Sequence, residues 1–233
     1  MEKNPNGTLS VIIPAYNEIS VIGSFIGSLK RTLSGLSGEH EIIVVDDGST
    51  DNTLKRANSF NVKTVCHEKR RGYGASLKSG IRQSGEEYVC IIDADNTYEP
   101  SDVLALFSEA GGYDMVVGDR GADPGRPKDH LFVKKAAEKV LFWFFGVQVK
   151  DINSGLRIMK RDIVMRYLDL LSNGFSFTSS ITLIMLLKKH KIKYIPISYE
   201  RRDRGSKIRR WDFVAAFLSS YVRIFWYYFS KKI

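Results

Sequence analysis

From residue 9 to about 118 the chain alternates short apolar runs with amphipathic stretches. The runs at 9–13, 41–45, 62–66, 88–92 and 113–118 are rich in β-branched and aliphatic residues and bounded by polar ones. Strands buried on both faces of a parallel sheet show this pattern. Helical segments fit the gaps, near 19–33, 51–60, 73–84 and 101–110, with Pro100 at the first turn of the last. The alternation predicts an α/β fold, a mostly parallel sheet with helices on both faces. Further on, a helix ends in the apolar run Leu141-Phe-Trp-Phe-Phe145, whose aromatics suit core packing or membrane contact. A helix pair at 161–171 and 178–190 then precedes a strand at 192–197.

Length and charge narrow the picture. At 233 residues the chain makes one large domain or one and a half, long enough for a substantial core, and its 43% hydrophobic and 26% charged content is that of a globular protein. The formal charge of +9 predicts an anionic partner: a nucleotide, a phospholipid surface or nucleic acid. Cys66 and Cys90 lie in strand-like runs without zinc spacing and read as buried free thiols. The N-terminal segment lacks the layout of a secretory signal, since its apolar run stops at Pro14, which favours the cytoplasm.

Open α/β sheets place ligands at the carboxyl ends of their strands, so those ends carry the candidate chemistry. The first continues into Pro14-Ala-Tyr-Asn-Glu18, where Tyr16 can pack on a base or ribose and Asn17 can cap the next helix. The second continues into Asp46-Asp-Gly-Ser-Thr-Asp51; its acids can accept bonds from base or ribose donors, Gly48 turns the backbone, and Ser49 or Thr50 suits a helix cap. Arg70-Arg-Gly-Tyr-Gly-Ala-Ser-Leu-Lys78 follows the third, with glycines, Gly72 among them, for close backbone approach and Arg71 and Lys78 to face phosphates. The fourth ends in Asp93-Ala-Asp95, with Thr97 one alternation on; carboxylates so spaced can share a hard cation such as Mg²⁺ or Mn²⁺.

Val11-Ile-Ile-Pro-Ala-Tyr-Asn-Glu18, Val44-Val-Asp-Asp-Gly-Ser-Thr-Asp51 and Asp93-Ala-Asp95, in this order and spacing, resemble the signature set of the family 2 inverting glycosyltransferases of GT-A fold. The resemblance implies a nucleotide-sugar held by Pro14, Ala15, Tyr16, Glu18, Asp46, Asp47, Gly72, Lys78 and Ala94. It also implies a divalent ion, Mg²⁺ or Mn²⁺, on Asp93 and Asp95.

Further motifs narrow it. Asp151-Ile-Asn-Ser-Gly-Leu-Arg157 and Arg204-Gly-Ser-Lys207 are similar to the polyprenyl-phosphate branch, the dolichyl-phosphate mannose or glucose synthases, over residues 9 to 210. That likeness implies a UDP- or GDP-hexose donor and a polyprenyl phosphate acceptor. It also implies catalytic roles for Asp93, Asp95, Asp151 and Arg157, and an acceptor-phosphate site of Arg120, Lys134, Arg204, Ser206 and Lys207. Six positive charges and one acid within residues 201–210 suit such an anion. Where many members carry Leu-Gln after Asp-x-Asp this chain has Asn96-Thr97, and where many carry a glutamate after Gly174 it has Phe177-Thr-Ser-Ser180.

Residues 1–210 are thus read as the catalytic domain and 211–233 as an amphipathic helix. Its 19-residue aromatic stretch, 211–229, holds Asp212 and Arg223 and is flanked by basic pairs. A central Arg would cost roughly 2.5–3.5 kcal/mol in a bilayer, so a helix lying on the cytoplasmic membrane surface fits better than a span, and a membrane-embedded partner subunit is compatible with it. Rival readings are a family 2 enzyme acting on a polysaccharide or protein, and a sugar-phosphate nucleotidylyltransferase. The latter resembles a Gly-rich loop after the first strand, which this chain lacks. A membrane-binding module would leave the strand-end acids without purpose, and no motif supports nucleic acid as partner.

Overall fold

A computed structural model describes residues 7–95, 97–121 and 150–199. Seven strands form one sheet: β1 (Leu9–Ala15), β2 (His40–Asp46), β3 (Lys63–Cys66), β4 (Tyr88–Ile91), β5 (Met115–Asp119), β6 (Arg157–Lys160) and β7 (Ile192–Pro196). Their spatial order is β3-β2-β1-β4-β6-β5-β7. All pairings are parallel except those of β6, which runs antiparallel between β4 and β5. The mostly parallel α/β sheet predicted from the alternation is therefore the fold, with β6 an unpredicted insertion.

The period-two alternation of β1 divides the core. Val11 and Ile13 face helices α1 (Ile22–Leu33) and α4 (Asp102–Ala110), while Ile12 faces α3 (Tyr73–Gln83) and the later helices α5 (Arg161–Tyr167) and α6 (Phe177–Leu187). Helix α1 shows why it docks: Ile22, Phe25, Ile26, Leu29 and Leu33 recur at three- and four-residue spacing and are all buried. Gly80 of α3 lets that helix lie close to β1 and β2, since a Cβ there would run into the Ile12 side chain and meet Val45 at 3.1 Å.

Local chemistry departs from expectation in several places. Asn17 does not cap α1; it adopts φ 55° and its carboxamide accepts the Thr50 N–H at 2.8 Å. The Glu18 carbonyl takes the N–H of Val21, just before α1, and that of Ile22, its first residue. The short helix α2 (Thr53–Asn58) is not capped by Ser49 or Thr50: Asp51 accepts the Thr53 N–H at 2.9 Å, and the Ser49 hydroxyl accepts the Asn17 N–H. The first half of the predicted helix pair is shorter than expected, α5 ending at Tyr167 before a single 3₁₀ turn, Leu168–Leu170. Cys90 is buried, but Cys66 is exposed at the end of β3. No helix among the described residues is long and apolar enough to cross a membrane.

Candidate active site

The chain winds outward from β1 through β2 to β3, then crosses to β4 on the other flank of β1. The carboxyl ends of β1 and β4 form the topological switch point, where α/β sheets open a crevice. Pro14, Ala15 and Tyr16 leave β1 there, and Asp93 to Asp95 leave β4. The parallel register sets Ala15 beside Asp46, so the second strand's acids join the same rim.

Asp46 is only 2% exposed. Its Oδ2 accepts the Ser49 N–H at 3.1 Å, and its Oδ1 is buried with no partner among the described residues. A buried polar oxygen without a donor is costly unless a ligand supplies one. Asp47 is engaged differently: Oδ1 accepts the Arg71 N–H and Oδ2 the Gly72 N–H, at 2.8 and 2.9 Å. Those bonds lay the 69–72 segment over the end of β2, and Gly48 at φ 73° leaves room for it. The Arg70 guanidinium then sits over the Tyr16 ring, 4.5 Å from its centre.

The glycines after Arg71 admit a neighbour, but that neighbour is protein. A Cβ on Gly72 would lie 2.7 Å from the Asn173 carbonyl oxygen, and one on Gly74 would run into the Ser172 carbonyl oxygen. The 172–174 segment packs on the first turn of α3, where Asn173 accepts the Ala75 N–H. Lys78 is buried rather than facing an open phosphate site, its Nζ donating to Asn173 Oδ1 at 2.8 Å.

The Asp93 carboxylate sits in a fitted cradle. Tyr73, first residue of α3, donates its phenol to it, and Gly155 faces it so closely that a Cβ would strike Oδ2. Tyr98 closes the third side and accepts the Gly155 N–H at 2.7 Å. The other oxygen, Oδ1, is buried and unpartnered among the described residues. Burial, with the Asp95 charge added, raises the Asp93 pKa to about 6. Asp95 is oriented by Thr97, whose hydroxyl and backbone N–H donate to its Oδ1 at 2.6 and 3.2 Å. This is where a hard divalent cation would fit: an orphaned oxygen donor and a second carboxylate two residues away, strained by mutual repulsion that a cation relieves. No group of three or more His, Cys, Asp or Glu suited to a metal occurs among the described residues, so water or substrate oxygens would complete the shell, as is usual for Mg²⁺.

The remaining predicted residues divide. Asp151 and Arg120 form a bidentate pair, Nε to Oδ2 at 2.7 Å and Nη2 to Oδ1 at 2.9 Å, and Arg120 lies over the Tyr199 ring. Asp151 thus orients the Arg120 side chain, and it also accepts the backbone N–H groups of Arg120 and Asn153. Arg157, expected among the catalytic groups, is fully buried instead. Its guanidinium donates to the carbonyls of Ile152, Ser154 and Thr178 and to the Thr182 hydroxyl. That pins the 151–155 turn to α6 and leaves the guanidinium turned inward. Glu18 stands on the rim, with its backbone N–H on Thr53 Oγ1. Lys134, Arg204, Ser206 and Lys207 lie outside the described residues, as do Phe142–Phe145 and the 211–233 tail. Sequence reasoning missed Tyr73, Tyr98, Gly155 and His67. Gly155 and Tyr73 stood inside quoted motifs, but Tyr73, like Tyr98 and His67, gains meaning only from partners distant in the chain.

Comparison with known proteins agrees with this geometry. Residues 10–168 match the glycosyl transferase family 2 domain. An uncharacterized protein of Methanocaldococcus jannaschii is 32% identical over 80% of this chain and 79% of its own length. A dolichol-phosphate mannosyltransferase of Pyrococcus furiosus is 27% identical over 86% of this chain, which covers 59% of that protein. In fold, the chain is similar to glucosyl-3-phosphoglycerate synthase from Mycobacterium tuberculosis, crystallised with Mn²⁺, UDP and phosphoglyceric acid: TM-score 0.69 at 24% identity, covering 91% of this chain and 74% of that one. A sheet with its acids at one switch point, and a family match across most of the described strands, lead to one conclusion: the chain belongs to glycosyl transferase family 2.

Proposed function

We propose that the protein transfers a hexosyl unit, mannose or glucose, from a UDP- or GDP-hexose to a polyprenyl phosphate, inverting the anomeric centre. The observation that carries this reading is the Asp93 cradle, an unpartnered buried carboxylate oxygen beside a second carboxylate at the switch point. Asp93 and Asp95 would hold Mg²⁺ or Mn²⁺. The cation's contribution is to offset charge on the leaving diphosphate. Asp46 Oδ1 accepts a donor of the base or ribose, and Tyr16 with Arg70 packs on the nucleoside. The acceptor class is supported by the dolichol-phosphate mannosyltransferase among the relatives. Incubating radiolabelled UDP- and GDP-hexoses with a polyprenyl phosphate should move label into the organic phase, stop with chelator, and resume with Mg²⁺ or Mn²⁺. Transfer only to a polysaccharide or protein, or none to any acceptor, defeats the proposal.

Asp151 is not the base on this reading. Its oxygens are committed to Arg120, and a lipid phosphate, with its second pKa near about 6, is already largely dianionic at neutral pH. The site must hold two anions together, and Arg120 supplies part of the opposing charge. Asp151→Asn is therefore expected to raise the acceptor KM roughly tenfold by loosening Arg120, with the pH–rate profile still falling only below about 6. Protonation of Asp93 acts in the same direction, and excess cation rescues that part alone. Loss of turnover in Asp151→Asn with both substrates bound at wild-type affinity would show a proton acceptor instead.

We also place the protein on the cytoplasmic face of a membrane through residues 211–233, on their aromatic and basic composition. Deleting them should release the protein from anionic vesicles. Undiminished sedimentation with the vesicles contradicts this placement.

A further inference from the structure

His67 follows β3, far from the strand-end motifs in sequence, and only 5% of it is exposed. Its Nδ1 lies 2.8 Å from Asp47 Oδ1 and its Nε2 lies 2.9 Å from the Ser79 hydroxyl on α3. A carboxylate oxygen accepts, so the hydrogen of this contact sits on Nδ1, and the Ser79 hydroxyl pairs with Nε2. Asp47 thereby gathers three donors: the His67 ring, the Arg71 N–H and the Gly72 N–H. The backbone is tied in as well, His67 N–H donating to the Asp46 carbonyl and Asp47 N–H to the Ala15 carbonyl. Ser79 anchors the far end on the helix that begins with Tyr73.

The consequence falls on the 69–72 segment. Its path over Gly48 is set by two bonds to one carboxylate, and that path puts Arg70 over the Tyr16 ring. If Asp47 rotates, both loop N–H groups lose their acceptor together. The imidazole is a side-chain donor to Asp47 Oδ1, the same oxygen that accepts the Arg71 N–H, and so holds the carboxylate in the orientation the loop needs.

We infer that Asp47, His67 and Ser79 form a positioning relay that fixes the Arg70–Gly72 segment against Tyr16 and so shapes the subsite for the donor's nucleoside. The inference rests on the donor reading given above. None of the three need touch the donor; they act through the loop.

Amide geometry supplies the test. Asparagine places its NH₂ near the position of the histidine Nδ1–H, whereas glutamine reaches toward Nε2 and Ser79. His67→Asn should keep UDP or GDP affinity, measured by calorimetry with Mn²⁺, within about threefold of wild type. His67→Ala and His67→Gln should weaken it roughly tenfold, the effect of leaving a buried carboxylate short of a donor. The loss should appear in donor KM and not in acceptor KM, and amide exchange at Arg71 and Gly72 should quicken in the same two variants. A purely structural histidine would lower thermal stability in all three without this ordering. Wild-type nucleotide affinity and unchanged exchange in His67→Ala and His67→Gln overturn the inference. Asp46→Asn separates the two ideas: if it abolishes nucleotide binding while the His67 variants bind normally, the relay alone fails. If the wild type binds neither nucleotide, the donor reading fails.

Discussion

Replacing Asp93 by Asn is expected to stabilise the metal-free protein at pH 7 while removing its activity. Burial and the Asp95 charge raise the Asp93 pKa from 3.8 to about 6. A group whose folded pKa lies above its unfolded value favours the folded state at low pH, and that contribution is lost as pH rises through the folded value. At pH 7 the wild type therefore carries a charge it is ill suited to hold, at a cost on the order of 2–3 kcal/mol before allowance for its partial exposure. Asparagine keeps a partner for the Tyr73 phenol without the charge. The metal-free variant should melt roughly 5 °C above wild type at pH 7, the gap closing near pH 4 where Asp93 is protonated anyway. Added Mn²⁺ should raise the melting temperature of wild type, which binds it only when folded, and leave the variant unmoved. Activity should fall on the order of a thousandfold, equivalent to about 4 kcal/mol of lost charge stabilisation. A variant that binds Mn²⁺ as wild type does, or that melts lower at pH 7 without metal, contradicts this account of the cradle.

Much of this was legible in the chain because parallel strands buried on both faces read as unbroken Val and Ile runs. The acids of Asp46-Asp47 and Asp93-x-Asp95 stand where those runs stop, so rim and sheet were found together. Strand β6 escaped because it is four residues long, opens on Arg157 and closes on Lys160, and leaves too few positions for a period to show. Close backbone approach was read correctly from Gly72 and Gly74, but a glycine records only that something comes near. Here it is the 172–174 backbone and not a phosphate. The cap of α2 was misplaced among Ser49, Thr50 and Asp51 because all three can accept an N–H, and only the turn decides which one reaches Thr53. His67 and Tyr73 carry no signal of their own. Their meaning lies in Asp47 and Asp93, which the fold brings to them.

Arg157 offers the sharpest separation of architecture from chemistry. Its guanidinium is fully buried, its donors meet carbonyl and hydroxyl oxygens and the Met115 sulfur, with no carboxylate bonded to it among the described residues, and burial lowers its pKa. A buried cation in such a site depends on every one of those oxygens to replace its lost hydration. Lysine keeps the charge but cannot span acceptors on both the 151–155 turn and α6, so Arg157→Lys should cost about 3–5 kcal/mol. Methionine removes the charge along with the donors. It strands the Ile152 and Ser154 carbonyls, at roughly 1–3 kcal/mol each, but no longer buries an ion, so the net loss should be smaller. The predicted order of stability in urea is therefore wild type, then Met, then Lys, with the chemically similar substitution the more damaging. At a temperature where Arg157→Met is folded, its turnover should stay within about tenfold of wild type, because the guanidinium faces inward. A Met variant that is as stable as wild type yet inactive would return Arg157 to the catalytic groups.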